Sequence, residues 1–175
     1  GAMLLGFIAI IAVLDSILNW LDTIIDGSLL KGAYYQYAAS GFSPTTGEFS
    51  GYFQGSLQSL FGSLLKPLAF IMGAPASDME PLGNLLGLKI SLNEFVAYSQ
   101  LGEYIKAGLL TPKGQIIATY ALCGFANFSS IGIQIGGISA IAPKRKEDLA
   151  RIALKAMFGG AIASWITATI AGILI

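Results

Sequence analysis

The sequence predicts an all-α integral membrane protein with transmembrane helices, an interfacial helix, a re-entrant helical hairpin and a broken transmembrane helix. Of its 175 residues, 54% are hydrophobic and only 11% are charged, whereas a soluble domain carries about 25% charged residues. Apolar segments long enough to span a bilayer occur near both ends of the chain. Between them, apolar segments are interrupted by polar residues and glycines, a pattern typical of helices broken at membrane depth.

Composition also argues against several classes of function. Ten Lys and Arg balance ten Asp and Glu, so no basic face remains to bind a nucleic acid. The chain has no histidine and one cysteine, Cys123, so it lacks a Ser-His or Cys-His pair, zinc-ligand spacing and an internal disulfide. We therefore expect neither an enzyme nor a metal site.

Residues 1–26 predict a transmembrane helix, with Trp20 as an anchor at the membrane interface. Asp15 is interpreted as a helix-end residue that faces water or protein, and a proton carrier is the alternative. The chain begins abruptly inside this apolar segment and lacks the basic flank of a signal peptide, which suggests a fragment of a longer protein.

The next two segments are more polar. Residues 27–55 are rich in Gly, Ser, Thr and Tyr and predict an extracytoplasmic loop that forms an interface or a packed lid, with a sugar-binding aromatic patch as the alternative. Residues 56–73 show helical spacing of apolar residues, interrupted by serines and by Pro67. We expect Pro67 to break this helix, and its length predicts an interfacial orientation.

Residues 76–105 predict the re-entrant hairpin. Ser77, with Glu80 three residues later, resembles a capping box at its start. The apolar halves at 82–88 and 95–101 are each too short to cross about 30 Å of hydrocarbon. We expect two half-length helices whose connection lies at membrane depth.

The last two elements are predicted to span. Residues 111–141 predict a broken transmembrane helix, starting near Pro112 and ending before Pro143, with a cluster of Gly, Asn and Ser in its middle. Residues 147–175 predict the final transmembrane helix. Basic residues concentrate at 144–155, so that region is predicted to be cytoplasmic and the C-terminus to lie outside.

Glu94 and Asn127 are the candidate binding residues. Glu94 belongs to the first turn of the second half-helix, where the helix dipole favours negative charge. It either binds a ligand, caps its own helix or pairs with Lys89. A carboxylate only accepts hydrogen bonds, whereas an amide also donates, so the two suit a neutral, hydroxyl-rich solute, with a cation as the competing ligand of Glu94.

Two long motifs resemble the concentrative nucleoside transporters. They are GLKISLNEFVAY at 87–98 and CGFANFSSIGIQIGG at 123–137, the second followed by the basic stretch APKRKEDLA. The resemblance implies a homotrimer in which each protomer has a scaffold, a mobile transport region and two inverted repeats. This chain is similar to the second repeat, in the C-terminal half, with residues 1–26 in the scaffold.

The resemblance further implies an ion-coupled nucleoside symporter that imports its substrate by alternating access. It assigns Glu94 to the ribose hydroxyls, Asn127 and Ser130 to the ribose side, and Phe125 to the neighbourhood of the ligand. It implies no cofactor other than a coupling cation, with sodium favoured over a proton, bound mainly by the N-terminal half of the same protein. The expected location is the inner (plasma) membrane, crossed several times.

Alternatives remain at this level. Phe125 and Phe128 are expected to pack in the core, with stacking on a flat ligand as the alternative. A non-transporting membrane subunit for structure or assembly would use the broken helices only for packing. A carrier for an anion would need a basic hairpin tip, for which Lys89 is the candidate. The sequence favours neither purine nor pyrimidine nucleosides.

Overall fold

The computed structural model describes residues 2–25, 29 and 55–175, and this part of the chain forms seven α-helices. They are α1 (Ala2–Ile24), α2 (Leu57–Ile71), α3 (Met79–Ser91), α4 (Glu94–Lys106), α5 (Pro112–Leu122), α6 (Phe128–Ile141) and α7 (Lys146–Leu174). The all-helical prediction is confirmed for these residues. The loop predicted at 27–55 lies almost entirely outside them.

One helical stretch in the described ranges, Pro143–Leu174, is long and apolar enough to cross a membrane. It coincides with the predicted final span. Leu60–Ile71 and Phe128–Ile141 are apolar but shorter. The interfacial position of α2 and the membrane depth of the hairpin remain predictions.

The first hairpin arm, α3, lies at the centre of the fold. It packs most extensively against α2 and also contacts α4, α5 and α6. Its leucines are fully buried in the main apolar cluster, namely Leu82, Leu85, Leu86 and Leu88. Because α7 packs against α5 and α6, both halves of the broken helix are held from a second side.

The crossing of α2 and α3 requires glycine. A Cβ on Gly83 would lie 2.7 Å from the Gly62 carbonyl oxygen, and a Cβ on Gly62 would lie 2.8 Å from Asn84 Oδ1. Pro67 lies inside α2, so the predicted break of this helix is wrong. Proline removes one backbone hydrogen bond, and the extensive packing on α3 holds the helix together despite this loss.

The N-terminus of α3 also differs from the prediction. The Ser77 hydroxyl donates to Asp78 Oδ1 at 2.8 Å and does not cap the helix, and Glu80 pairs with Lys66 at 2.9 Å, so the capping box is wrong. Asp78 Oδ2 instead accepts from the backbone N–H (3.0 Å) and the hydroxyl (2.6 Å) of Thr111. This buried carboxylate ties the base of the hairpin to the start of α5.

The first helix, α1, contacts α2 and α6. Asp15 is buried, and its Oδ1 accepts a hydrogen bond from the backbone N–H of Leu57 at 2.7 Å. Leu57 begins α2, so the carboxylate satisfies one of the amides that a helix N-terminus leaves without an internal partner. Asp15 therefore faces protein, as predicted, but it lies in the middle of α1 and not at the end of a helix.

Candidate functional site

The tip of the hairpin consists of two residues, Leu92 and Asn93, between α3 and α4. Asn93 is extended (φ −167°, ψ 170°), and its side chain accepts a hydrogen bond from the Val96 N–H at 3.0 Å. Asn93 is thus the N-cap of α4. The alternative in which Glu94 caps its own helix is therefore wrong.

The break in the second element comprises residues 123–127, between α5 and α6. Gly124 has φ of 119°, a conformation in which a Cβ would be strained. Asn127 is extended (φ −150°, ψ 167°) and caps α6, because its Oδ1 accepts from the Ser130 N–H at 2.8 Å. The Ser130 hydroxyl donates to the same oxygen at 2.8 Å.

A hydrogen bond joins the hairpin tip to the break. Asn127 Nδ2 donates to Glu94 Oε2 at 2.7 Å. The orientation of this amide is fixed, because its Oδ1 already accepts a backbone N–H and only the NH₂ group can face a carboxylate. Two helix N-termini meet here, so unpaired amides and both dipoles favour the negative charge of Glu94.

The Glu94–Asn127 pair retains hydrogen-bonding capacity. Glu94 is half-buried, and within the described residues its second oxygen, Oε1, has no hydrogen-bond partner. A carboxylate oxygen accepts more than one hydrogen bond, and an amide NH₂ carries two hydrogens. The pair can therefore accept from hydroxyl groups and donate to an oxygen at the same place.

The other predicted site residues lie beside this pair. Ser130 is buried and, together with Phe125, lines a cavity of about 250 Å³ between the break, α6 and α7. Phe125 is 74% exposed, so the expected core packing is wrong for it within the described residues. Phe128 does pack, with its ring centroid 5.8 Å from that of Phe61.

Two further residues belong to this region: Ser129, which is not a candidate from the sequence, and Lys89, which the sequence offers only as a partner of Glu94 or of an anion. The Ser129 hydroxyl lies 2.9 Å from the Leu92 carbonyl oxygen and 2.7 Å from Asn127 Oδ1, so it links the hairpin tip to the cap of α6. Lys89 is fully buried, and its Nζ donates to the Ala121 carbonyl and to Ser164 Oγ, both at 2.8 Å. These two acceptors, in place of a salt bridge to Glu94, make the proposed Lys89–Glu94 pair wrong.

Signals for these two residues were present in the sequence. A lysine inside an apolar half-helix needs hydrogen-bond acceptors. A serine next to Asn127, within the cluster of Gly, Asn and Ser, is close enough to hydrogen-bond to it. Among the described residues, no group of three or more Cys, Asp or Glu side chains is arranged to hold a metal ion.

Comparisons with known proteins agree on one family. Residues 1–172 match the family model described as the C-terminus of the Na⁺-dependent nucleoside transporters. A transporter of Haemophilus influenzae is 38% identical over 179 residues, which cover 100% of this chain and 37% of that protein. Sodium/nucleoside cotransporter 1 of Mus musculus is 35% identical over 187 residues, covering 99% of this chain and 25% of the mouse protein.

A solved structure shows the same fold. It is that of CNTnw in an inward-facing substrate-bound state, with a TM-score of 0.70 and 36% identity, and the match covers 98% of this chain and 36% of CNTnw. The chain therefore spans between 25% and 37% of the length of these relatives.

Proposed function

Because this chain belongs to the Na⁺-dependent nucleoside transporters, of which it is the C-terminal part, we propose that the whole protein imports nucleosides by ion-coupled symport. The name of mouse sodium/nucleoside cotransporter 1 supports this function, and CNTnw, solved in a substrate-bound state, has the same fold as this chain. The family is one of membrane transporters and not of enzymes.

The hydrogen bond between Asn127 Nδ2 and Glu94 Oε2 is the observation on which the proposed site rests. It fixes a carboxylate whose second oxygen, Oε1, accepts hydrogen bonds from the ribose hydroxyls of a bound nucleoside. Asn127 and Ser130 contact the same side of the sugar. A neutral sugar donates hydroxyl hydrogens to Glu94 without bringing a second negative charge to it.

The cavity beside the break extends the site. It is lined by Phe125 and Ser130 and has a volume of about 250 Å³, which is enough for part of a nucleoside but leaves the ligand incompletely enclosed. The exposed ring of Phe125 offers a flat apolar face to the ligand. The N-terminal half of the protein completes the site and contacts the base.

Sodium is the proposed coupling ion, in keeping with the names of the family and of its mouse member. Its ligands lie mainly in the N-terminal half. We expect a homotrimer in the plasma membrane, with α1 in the scaffold and the helices from α2 onward in the moving part. In this arrangement the basic region at 144–155 faces the cytoplasm and the end of α7 faces outward.

The first experiment compares Glu94→Gln with wild type in the full-length protein. We expect the variant to bind uridine about tenfold or more weakly, because a charged hydrogen bond contributes about 1.5–3 kcal/mol. Uptake into membrane vesicles under an imposed sodium gradient should fall accordingly. Binding is measured by equilibrium titration of the purified protein.

Glu103→Gln is the matched control. Glu103 lies on the same helix, is exposed and pairs with Lys106 at 2.9 Å, so removing its charge should leave uridine affinity unchanged. Equal uridine affinity of Glu94→Gln and wild type would contradict the proposed site. If the wild type takes up no nucleoside under a sodium or proton gradient, the alternative of a structural or assembly subunit is favoured.

A further inference from the structure

Lys89 occupies a position that the proposed site does not use directly. It lies in the last turn of α3 and is fully buried. A buried ammonium group is costly unless it is hydrogen-bonded to several acceptors. The groups that accept hydrogen bonds from Lys89 therefore indicate the role of its positive charge.

The first partner of Lys89 lies at the end of the half-helix that precedes the break. Ala121 is in the last turn of α5, where carbonyl groups have no internal N–H partner and the helix dipole is negative. The second hairpin arm binds the same end, because the Tyr98 hydroxyl donates to the Thr119 carbonyl at 2.7 Å. Both arms of the hairpin thus hold carbonyls at the C-terminal end of α5.

The second partner extends the contact to α7. The Ser164 hydroxyl donates to the Ala161 carbonyl at 2.8 Å, so its oxygen is left to accept from Lys89 Nζ. The direction of donation is from Lys89 to Ser164 and from Ser164 to Ala161. One ammonium group therefore joins α3, α5 and α7.

A carbonyl at the end of a broken helix and a neighbouring hydroxyl are oxygen ligands of the kind that bind a coupling cation in secondary transporters. Here these oxygens bind the ammonium group of Lys89. An ammonium group carries one positive charge and three hydrogen-bond donors on a flexible stem. The ammonium group of Lys89 therefore supplies the charge of a monovalent cation, and because it is covalently attached to the chain it cannot dissociate.

We propose that Lys89 is a positioning residue that acts as a tethered cation, holding the hairpin against the end of α5 so that Glu94 and Asn127 stay in contact. The proposal deepens the proposed function and rests on it. Glu94 follows the hairpin tip and Asn127 is the last residue of the break, so a bond between the hairpin and α5 restrains their separation. Without the ammonium group, the oxygens of Ala121 and Ser164 lose the donor that ties them to the hairpin.

The test uses the full-length protein in proteoliposomes. Lys89→Met keeps most of the side-chain volume without the charge, and we expect it to elute from size exclusion like wild type but to take up uridine about tenfold or more slowly. Lys89→Ala opens a space equal to n-propylammonium. Added n-propylammonium should restore uptake by this variant, whereas 1-propanol, of the same size but neutral, should not.

A second measurement does not depend on any nucleoside. Hydrogen–deuterium exchange of peptides at 119–128 should be faster in Lys89→Met than in wild type, while peptides at 165–174 should exchange at the wild-type rate. Uptake by Lys89→Met at the wild-type rate would overturn the proposal. So would equal effects of propylammonium and propanol on Lys89→Ala, or unchanged exchange at 119–128.

Failure of the proposed function gives a different result. If the wild type takes up no nucleoside, the uptake assays report on that function alone. The exchange of residues 119–128 then decides whether Lys89 holds the hairpin to α5.

Discussion

At the residue scale, Asn127 combines two tasks in one amide. Its Oδ1 caps α6 by accepting the Ser130 N–H, while its Nδ2 donates to Glu94. An aspartate has the same shape and caps a helix equally well, but it cannot donate when ionised. Replacing Asn127 by Asp therefore separates the two tasks.

We expect Asn127→Asp to fold but to lose uridine affinity at neutral pH, because two carboxylates would face each other where a 2.7 Å hydrogen bond now stands. Two like charges at this distance repel each other. Uridine titrations of the purified variant and of wild type at neutral pH would measure this loss.

A contrary result is easily recognised. Affinity of Asn127→Asp that is equal to wild type at neutral pH would show that Asn127 does not serve as a donor to Glu94.

At the element scale, the site depends on how closely α2 and α3 approach, because α3 carries the hairpin tip. We expect Gly83→Ala to destabilise the full-length protein by about 1–3 kcal/mol, since the added Cβ would lie 2.7 Å from the Gly62 carbonyl oxygen. A lower midpoint of thermal unfolding in detergent would report this loss.

Gly102→Ala in α4 is the matched control. A Cβ at Gly102 meets no atom within 4 Å in the described part of the chain, and alanine favours a helix over glycine by about 0.5–1 kcal/mol. Its unfolding midpoint should stay the same or rise. Equal destabilisation by both substitutions would mean that the approach at Gly83 is not what matters.

The elements also show how far the sequence predicts this structure. Apolar runs that are too short to span, separated by polar residues, predict both interrupted elements and bring Glu94 and Asn127 into the site. The helix break at Pro67 and the capping box at Ser77 are predictions from local sequence rules, and tertiary contacts override both. The packing of α2 on α3 keeps α2 helical through Pro67, and at the start of α3 it is Asp78 that forms the long-range contact, to Thr111.

Lys89 illustrates what local patterns omit. One of its two acceptors is the backbone carbonyl of Ala121, 32 residues further along the chain. A carbonyl group is present at every residue, so no side-chain pattern marks this one as the partner. Only the relative placement of α3 and α5 identifies it.

At the scale of the whole molecule, the chain is a part of a transporter and its direction in the membrane can be tested. In a full-length background in which every cysteine, including Cys123, is replaced by serine, Lys144→Cys and Lys106→Cys place single thiols at two exposed positions. We expect a membrane-impermeant maleimide to label Lys144→Cys from the cytoplasmic side and Lys106→Cys from outside, following the concentration of basic residues at 144–155.

Labelling of Lys144→Cys from outside and of Lys106→Cys from the cytoplasm would show that the orientation is the reverse of the proposed one. Labelling of both positions from the same side would contradict the predicted single crossing between them. Uridine uptake by each variant in the unlabelled state serves as the check that both thiols report on a functional protein.

The contact between Asp15 and Leu57 has a consequence for biosynthesis. Leu57 follows Asp15 by 42 residues, so a ribosome completes α1 well before it makes the amide that this carboxylate binds. A carboxylate at the centre of an inserting helix costs about 2.5–3.5 kcal/mol. If α1 spans the bilayer as the sequence predicts, its apolar residues must offset this cost during insertion. We then expect α2 to pack against α1 only afterwards, when the Leu57 N–H becomes available to Asp15.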